Sequence, residues 1–252
     1  AVRDGDHYVI DGQKVFTSLA PVWTRLLTFG ADRTDPDAAR NVFAILTRDA
    51  GGFEVADDWD TLGMRGTQSN STKLTGAPAP ADRVLQVVAP GPSLEPIVFG
   101  IFSHFEALLA ATYLGLGDRA IEVAAAHVKK RRSVKNDDVY ANDPDIRWRL
   151  ADAAIRMNSA HAEVTLVARE LDEGRDHGML WLPRLSGCKN AAAEASRHAV
   201  DQAIRACGGS SYSNSHELSR LYRDVLAGLF QPSDQESLHG AWANVVLGPV
   251  SR

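Results

Sequence analysis

Residues 205–224 read RACGGSSYSNSHELSRLYRD. Ala199, Ala203 and Ala206 approach this stretch at helical spacing, Gly208-Gly209 breaks the pattern, and a polar run separates it from a new apolar period. A diglycine there admits backbone conformations and a close approach that a side chain would block. The ordinary reading is a glycine-capped helix, a Ser/Asn loop and a second helix capped by Ser215. The sharper reading is a turn whose bare amides face a phosphate, and the pattern alone does not choose it.

Upstream of this stretch the period stays helical. Residues 101–130 carry a stripe of Ile101, Phe105, Leu108, Thr112, Leu116 and Ala120. A second helix opens at Asp143-Pro144, an N-cap followed by a proline at the first helical position, and runs towards Gly174. A third covers 185–207, and a fourth follows Ser215 with Leu218, Leu221, Val225 and Leu229. Four long amphipathic helices with short connections predict an up-down four-helix bundle.

Before Pro90-Gly91-Pro92 the period is two and turn residues are dense. Tyr8-Val9-Ile10, Leu26 to Phe29 and Val42 to Leu46 are short strand-like runs, and Asp11-Gly12 is a hairpin signal. The prolines of APAPAD, at 77–82, mark an exit from the sheet. The fold class expected is α+β: a β domain over 1–91, a truncated barrel or sheet, then the helical bundle over 92–252.

Composition narrows the chemistry. The chain has 252 residues, is 44% hydrophobic and carries a net charge of -5, a balance that disfavours nucleic acid and anionic membrane as partners and leaves small molecules or proteins. No apolar run is read as a membrane span, because His104 and Glu106 interrupt the best one. Cys188 and Cys207 lack metal-ligand spacing and read as buried thiols in a reducing compartment, so no metal and a cytoplasmic location are expected. The chain opens with a strand pattern already under way, like a piece of something longer.

The order of the pieces is more specific than any one of them: KVFTS, WDTLGMRGTQS, KKRRS, ACGGSSY, LYRD. That order resembles the acyl-CoA dehydrogenase superfamily, flavoproteins with a helical first domain, a β middle domain and a C-terminal four-helix bundle. The resemblance covers nearly the whole chain and implies that the first domain and the first strands of the middle one are absent. It implies FAD as cofactor, with FMN as the alternative, and a homotetramer or homodimer built through the helical half. A CoA thioester or similar substrate, and an electron-transfer flavoprotein or a flavin reductase, would be the partners.

Residue by residue, Phe16, Thr17 and Ser18 match the segment beside the flavin ring, where an aromatic covers the ring face and a hydroxyl or amide bonds to N5. Residues 59–69 match a wall between flavin and substrate, with Thr67, Ser69 and Ser71 expected on one strand face. Arg131 and Ser133 match an Arg-x-Ser pair that reaches a dinucleotide pyrophosphate on the neighbouring subunit, although Val134-Lys135 replaces the family's Phe-Gly. Gly208 and Gly209 match the diglycine that approaches the same pyrophosphate. Arg205 stands where relatives often have Gln, and Arg223-Asp224 reads as a structural ion pair.

The dehydrogenase reaction needs a carboxylate that takes an α-proton while flavin takes the β-hydride. Many members carry it eight residues past the Arg-Asp pair, where this chain has Pro232. Others carry it on the first bundle helix, where Glu106 falls one residue, about 100 degrees, from the matching position. His104 is a second acid/base candidate. A sister branch performs reduced-flavin monooxygenation without such a base, and residues 231–239, with Gln231, Pro232 and His239, tilt slightly towards it. The leading reading is acyl-CoA α,β-dehydrogenation, with the monooxygenase as alternative and a non-catalytic fragment or partner subunit as a third.

Overall fold

A computed structural model describes residues 1–250 and divides the chain into two compact units, Ala1–Gly100 and Ile101–Arg252. The fold class is α+β.

The first unit holds two antiparallel sheets. One has the order β1-β2-β6-β5, from strands Val2–Asp4, His7–Lys14, Thr72–Pro80 and Phe53–Val55. The other is β3-β4-β7, from Arg25–Asp32, Arg40–Thr47 and Val84–Val88. Ile10, Leu74, Ala77 and Ala79 of the first sheet meet Ala44 and Leu46 of the second in a closed apolar core.

Two turn signals resolve differently from the sequence reading. Asp11-Gly12 is not a hairpin: β2 runs through it, and the register slips between Ile10 and Gly12 opposite Gly76 on β6. The Asp11 carboxylate accepts from the Gly76 amide at 2.7 Å, which makes the pair the fixture of a bulge. Pro78 and Pro80 lie inside β6, paired to Val9 and His7. They are tolerated because β5 runs beside β6 only from Thr72 to Leu74, leaving the later residues without a neighbour on that side.

The second unit contains α1 (Pro96–Lys130) from Ile101 onwards, the two-residue strands β8 (Arg132–Ser133) and β9 (Asp138–Val139), α2 (Pro144–Asp172), α3 (Trp181–Cys207), α4 (Glu217–Val225) and α5 (Gln235–Leu247). The start of α2 is as read: Asp143 Oδ1 accepts from the amides of Asp145 and Ile146, and Pro144 follows it. The fourth helix differs. It is short, passes into a 3-10 turn at Leu226–Leu229, and is followed by α5. Its cap is His216, whose Nδ1 accepts from the Leu218 amide, and Ser215 bonds instead to Ser213.

The inward face of α1 is also not the one the period gave. Phe105 and Leu108 are 41% and 65% exposed, while Glu106, Ala110, Tyr113, Gly117, Ala120 and Ala124 are buried. This helix is apolar almost all round, so the neighbouring helices decide its rotation. Gly117 shows how closely they approach: a Cβ there would lie 2.7 Å from Met157 on α2 and from Ser196 Oγ on α3. By length and composition α1 also meets the criteria for a membrane span, contrary to the sequence reading, since one Glu and one His do not break so long an apolar helix.

Candidate functional site

In the first unit the Phe16-Thr17-Ser18 segment lies in a loop laid against residues 64–70. The Thr17 amide donates to Asn70 O at 3.3 Å and the Leu19 amide to Thr67 O at 2.8 Å. Leu19, Met64 and Gln68 have φ values of 61°, 53° and 47°, so both segments turn repeatedly through left-handed backbone. For this reason Thr67 and Ser69 are not on a strand face. Their hydroxyls form a chain instead, with Ser69 Oγ at 2.9 Å from Ser18 Oγ and 2.8 Å from Thr67 Oγ1. Two features stand apart from this satisfied network. Phe16 is 75% exposed, its ring set edge-on to Trp59, and the buried Thr17 Oγ1 has no partner in the chain.

The loop is anchored from behind by a residue the sequence reading missed. Arg48 Nε donates to Trp23 O and Nη2 to Ala20 O, both at 2.5 Å, while the guanidinium stacks over the Trp23 and Phe53 rings. Only the fold brings these together, since Arg48 stands 25 residues beyond Trp23.

In the second unit Arg131 and the diglycine come together within one chain. Gly208, at φ 66°, ends α3. Arg131 Nη1 donates to Cys207 O at 2.9 Å and to Ser210 Oγ at 3.3 Å, and its guanidinium lies 4.9 Å from the Tyr140 ring centre. Nothing stands within 4 Å of the place a Gly209 side chain would take. A fixed guanidinium beside an open backbone turn suits an anion. Burial pushes the Cys207 thiol up to about 11, with Arg131 opposing. His127, one turn before Arg131, is held below its ordinary value by burial first and then by Arg131 and His216. Ser133 sits in the β8-β9 hairpin, where its hydroxyl accepts from the Asn136 amide. Arg205 pairs with Asp201 at 2.8 Å, and Arg223 reaches Ser219 and Asn214 while Asp224 pairs with Arg220 one turn back.

Glu106 lies elsewhere, closed off in the interior and fully buried. Its Oε1 accepts from the Ser233 amide at 2.7 Å, and Oε2 has no partner in the chain. Burial raises its pKa, against the pull of the Ser233 amide and Lys189. Lys189, also fully buried, donates to the carbonyls of Gly228, Gln231 and Ser233 at 2.8, 2.7 and 3.3 Å. Among the described residues these are the two charged side chains that are buried. Lys189 was not legible as special, although a lysine inside the SGCKNAAAEA run of a buried face was the available signal. His104 is exposed on α1.

A β unit of two sheets, a helical bundle, an aromatic-hydroxyl loop and an arginine-diglycine turn are the features the sequence resemblance called for. The family model described as acyl-CoA dehydrogenase, C-terminal domain, matches residues 97–230, and the chain belongs to the acyl-CoA dehydrogenase family. Among curated relatives it is 27% identical over 88% of its length to the amino sugar nitrososynthase DnmZ of Streptomyces peucetius, covering 55% of that protein. It is 26% identical over 93% of its length to cyclohexane-1-carbonyl-CoA dehydrogenase of Geobacter metallireducens, covering 60%. The chain thus spans about half the length of the first curated relatives it matches. Its fold is that of KijD3, solved with FMN and a dTDP-linked 3-amino-4-keto sugar, with a TM-score of 0.81, 24% identity and coverage of 100% of this chain and 62% of that one. Butyryl-CoA dehydrogenase from Megasphaera elsdenii gives 0.85 at 19% identity, over 98% of this chain and 62% of that one.

Proposed function

We propose that this chain is the middle and C-terminal part of a flavin-dependent monooxygenase that oxidises an amino group, with an amino-sugar nucleotide as the substrate class. The observation that carries this reading over α,β-dehydrogenation is the state of Glu106. A base must reach the substrate's proton, whereas Glu106 is sealed from solvent and its Oε1 is engaged by the Ser233 amide. Proline occupies the other family position for the base, at 232. The nitrososynthase relatives suggest the amino sugar, and the dTDP-linked sugar solved with KijD3 suggests the nucleotide.

The residues present fit a flavin. Each unit fits by itself: in the first, Phe16 offers an exposed aromatic face and Thr17 a buried hydroxyl without a partner in the chain, as suits a flavin ring, and in the second, Arg131, Gly208 and Gly209 offer a charge and a bare backbone, as suits the phosphate of FMN or the pyrophosphate of FAD held by a neighbouring subunit. When bound in its reduced form, flavin supplies two electrons to O2, so that one oxygen atom is delivered to the amine nitrogen and the other leaves as water. The hydroxyl chain of Ser18, Ser69 and Thr67 keeps the ring-side loop in one shape. Assembly into a homotetramer or homodimer is part of the reading, supported by the apolar side chains of α1 and α2 left open, Leu108 and Ile155 among them.

The test gives the holoenzyme, with a flavin reductase, a dTDP-linked amino sugar and O2, and looks for a product heavier by one oxygen. A panel of acyl-CoA thioesters is mixed anaerobically with the oxidised enzyme in parallel. Flavin bleaching by any thioester, lost in Glu106→Gln, would falsify the monooxygenase reading and restore dehydrogenation.

A further inference from the structure

In the second unit α2, α3 and α5 leave a cavity of about 170 Å³ between them, lined by Glu163 and Leu166 from α2, Pro183, Arg184 and Gly187 from α3, and Trp242 from α5. The glycine keeps it open: a Cβ at 187 would stand 3.8 Å from Glu163 Oε1 and 3.9 Å from Leu238 Cδ1, so a longer side chain would crowd both. The two charges on the wall are not in the same state. Arg184 is already answered, since its Nη2 donates to Glu170 Oε2, an oxygen that also lies 3.1 Å from His177 Nε2. Glu163 is not: among the described residues none donates to its carboxylate or pairs with it. Partial burial raises that carboxyl above its ordinary value, and the Arg184 charge opposes the shift without pairing.

An unpaired carboxylate set among apolar walls and an indole suits a cation that brings apolar surface of its own. The indole attracts the positive charge, the carboxylate neutralises it, and Leu166 and Pro183 cover the alkyl part. An anion is repelled by Glu163. A divalent metal finds too few oxygens, since among the described residues no three His, Cys, Asp or Glu groups come together. Size narrows the ligand further, because a cavity of about 150 Å³ takes a benzene-sized molecule and has no room for a nucleotide. We propose that the cavity between α2, α3 and α5 binds a small alkylammonium ion of about six or seven heavy atoms, with Glu163 as its counter-ion and Trp242 as its aromatic wall. The site uses none of the residues assigned to flavin, so it stands or falls apart from the oxygenation reading.

The test titrates cyclohexylammonium into the holoenzyme by calorimetry, beside cyclohexanol as a neutral molecule of the same shape. One site per chain is expected, of about millimolar affinity for so few atoms, with cyclohexanol bound about tenfold more weakly. Glu163→Gln keeps the shape and removes the charge, so it should weaken the ammonium by about tenfold and leave the alcohol unchanged. Gly187→Leu should abolish both by filling the space. Should Gly187→Leu fail to fold, Trp242→Leu takes its place and is expected to weaken the ammonium more than the alcohol. Equal affinity of wild type and Glu163→Gln for the ammonium, equal affinity of wild type for amine and alcohol, or no binding at all overturns the inference. So does binding that appears only in dissociated single chains, which would make the cavity part of a contact between copies.

Discussion

Helix α1 carries two charged groups that the family resemblance nominates, and they meet opposite fates. Arg131, just past its C-terminal end, is half-buried and bonds to a carbonyl and a hydroxyl beside an open glycine turn. Glu106, near its start, is shut in the interior and tied to the turn after α4. Neutral oxygen partners at an accessible edge can be exchanged for a phosphate, because the guanidinium loses little and gains a charge. A sealed carboxylate has no such exchange, since reaching it means opening the turn. Position along the chain nominated both residues, and accessibility is what distinguishes them.

The largest effect expected from this contrast is on stability. Lys189→Met removes one partner from the interior cluster, stranding three carbonyls and Glu106, and should cost about 3–5 kcal/mol in urea unfolding. Arg131→Ala should cost about 0.5–1.5 kcal/mol, one ordinary hydrogen bond's worth at a half-buried site. Equal losses would erase the distinction between the two clusters.

Flavin affinity should sort the two in reverse. Arg131→Ala is expected to weaken binding by about 1.5–3 kcal/mol, roughly tenfold to more than a hundredfold, in fluorescence titration. Arg132→Ala, whose guanidinium is turned to Asp137 in the hairpin, should change it only slightly. Small and equal losses in both would leave KKRRS as a solvated helix end.

The smallest effect is a pH slope. Burial raises the Glu106 pKa above its ordinary 4.5, so the folded chain holds a proton that the unfolded chain releases. That contribution is whole below the ordinary value and is lost as pH climbs through the raised one. Glu106→Gln cannot ionise, so the stability difference between wild type and variant should drift against wild type as pH rises above 4.5. A flat difference would mean that Glu106 is as readily ionised inside the fold as outside it.

Much of the fold was legible because local chemistry repeats itself. Asp143-Pro144 starts a helix wherever it stands before an apolar period, and Gly208 ends one by accepting a φ of 66°. The strand runs at 8–10, 26–29 and 42–46 and the change of period near residue 92 were likewise written in side-chain type. Within the site, that Arg131 and the diglycine lie near each other was implied only by the family resemblance. The Arg48 anchor and the Lys189 cluster were not, since each joins residues 25 or more apart that share no local pattern.

What the sequence determined by itself was therefore most of the elements, the caps at Asp143 and Gly208 and the family they compose, because period and turn chemistry act over a few residues. The tertiary structure decided which way α1 faces, that Asp11-Gly12 makes a bulge and that Glu106 lies closed inside. A helix with apolar residues on almost every side has no inward face of its own until Ser196 and Met157 press on Gly117, and a carboxylate's chemistry is set by whether water or substrate can reach it.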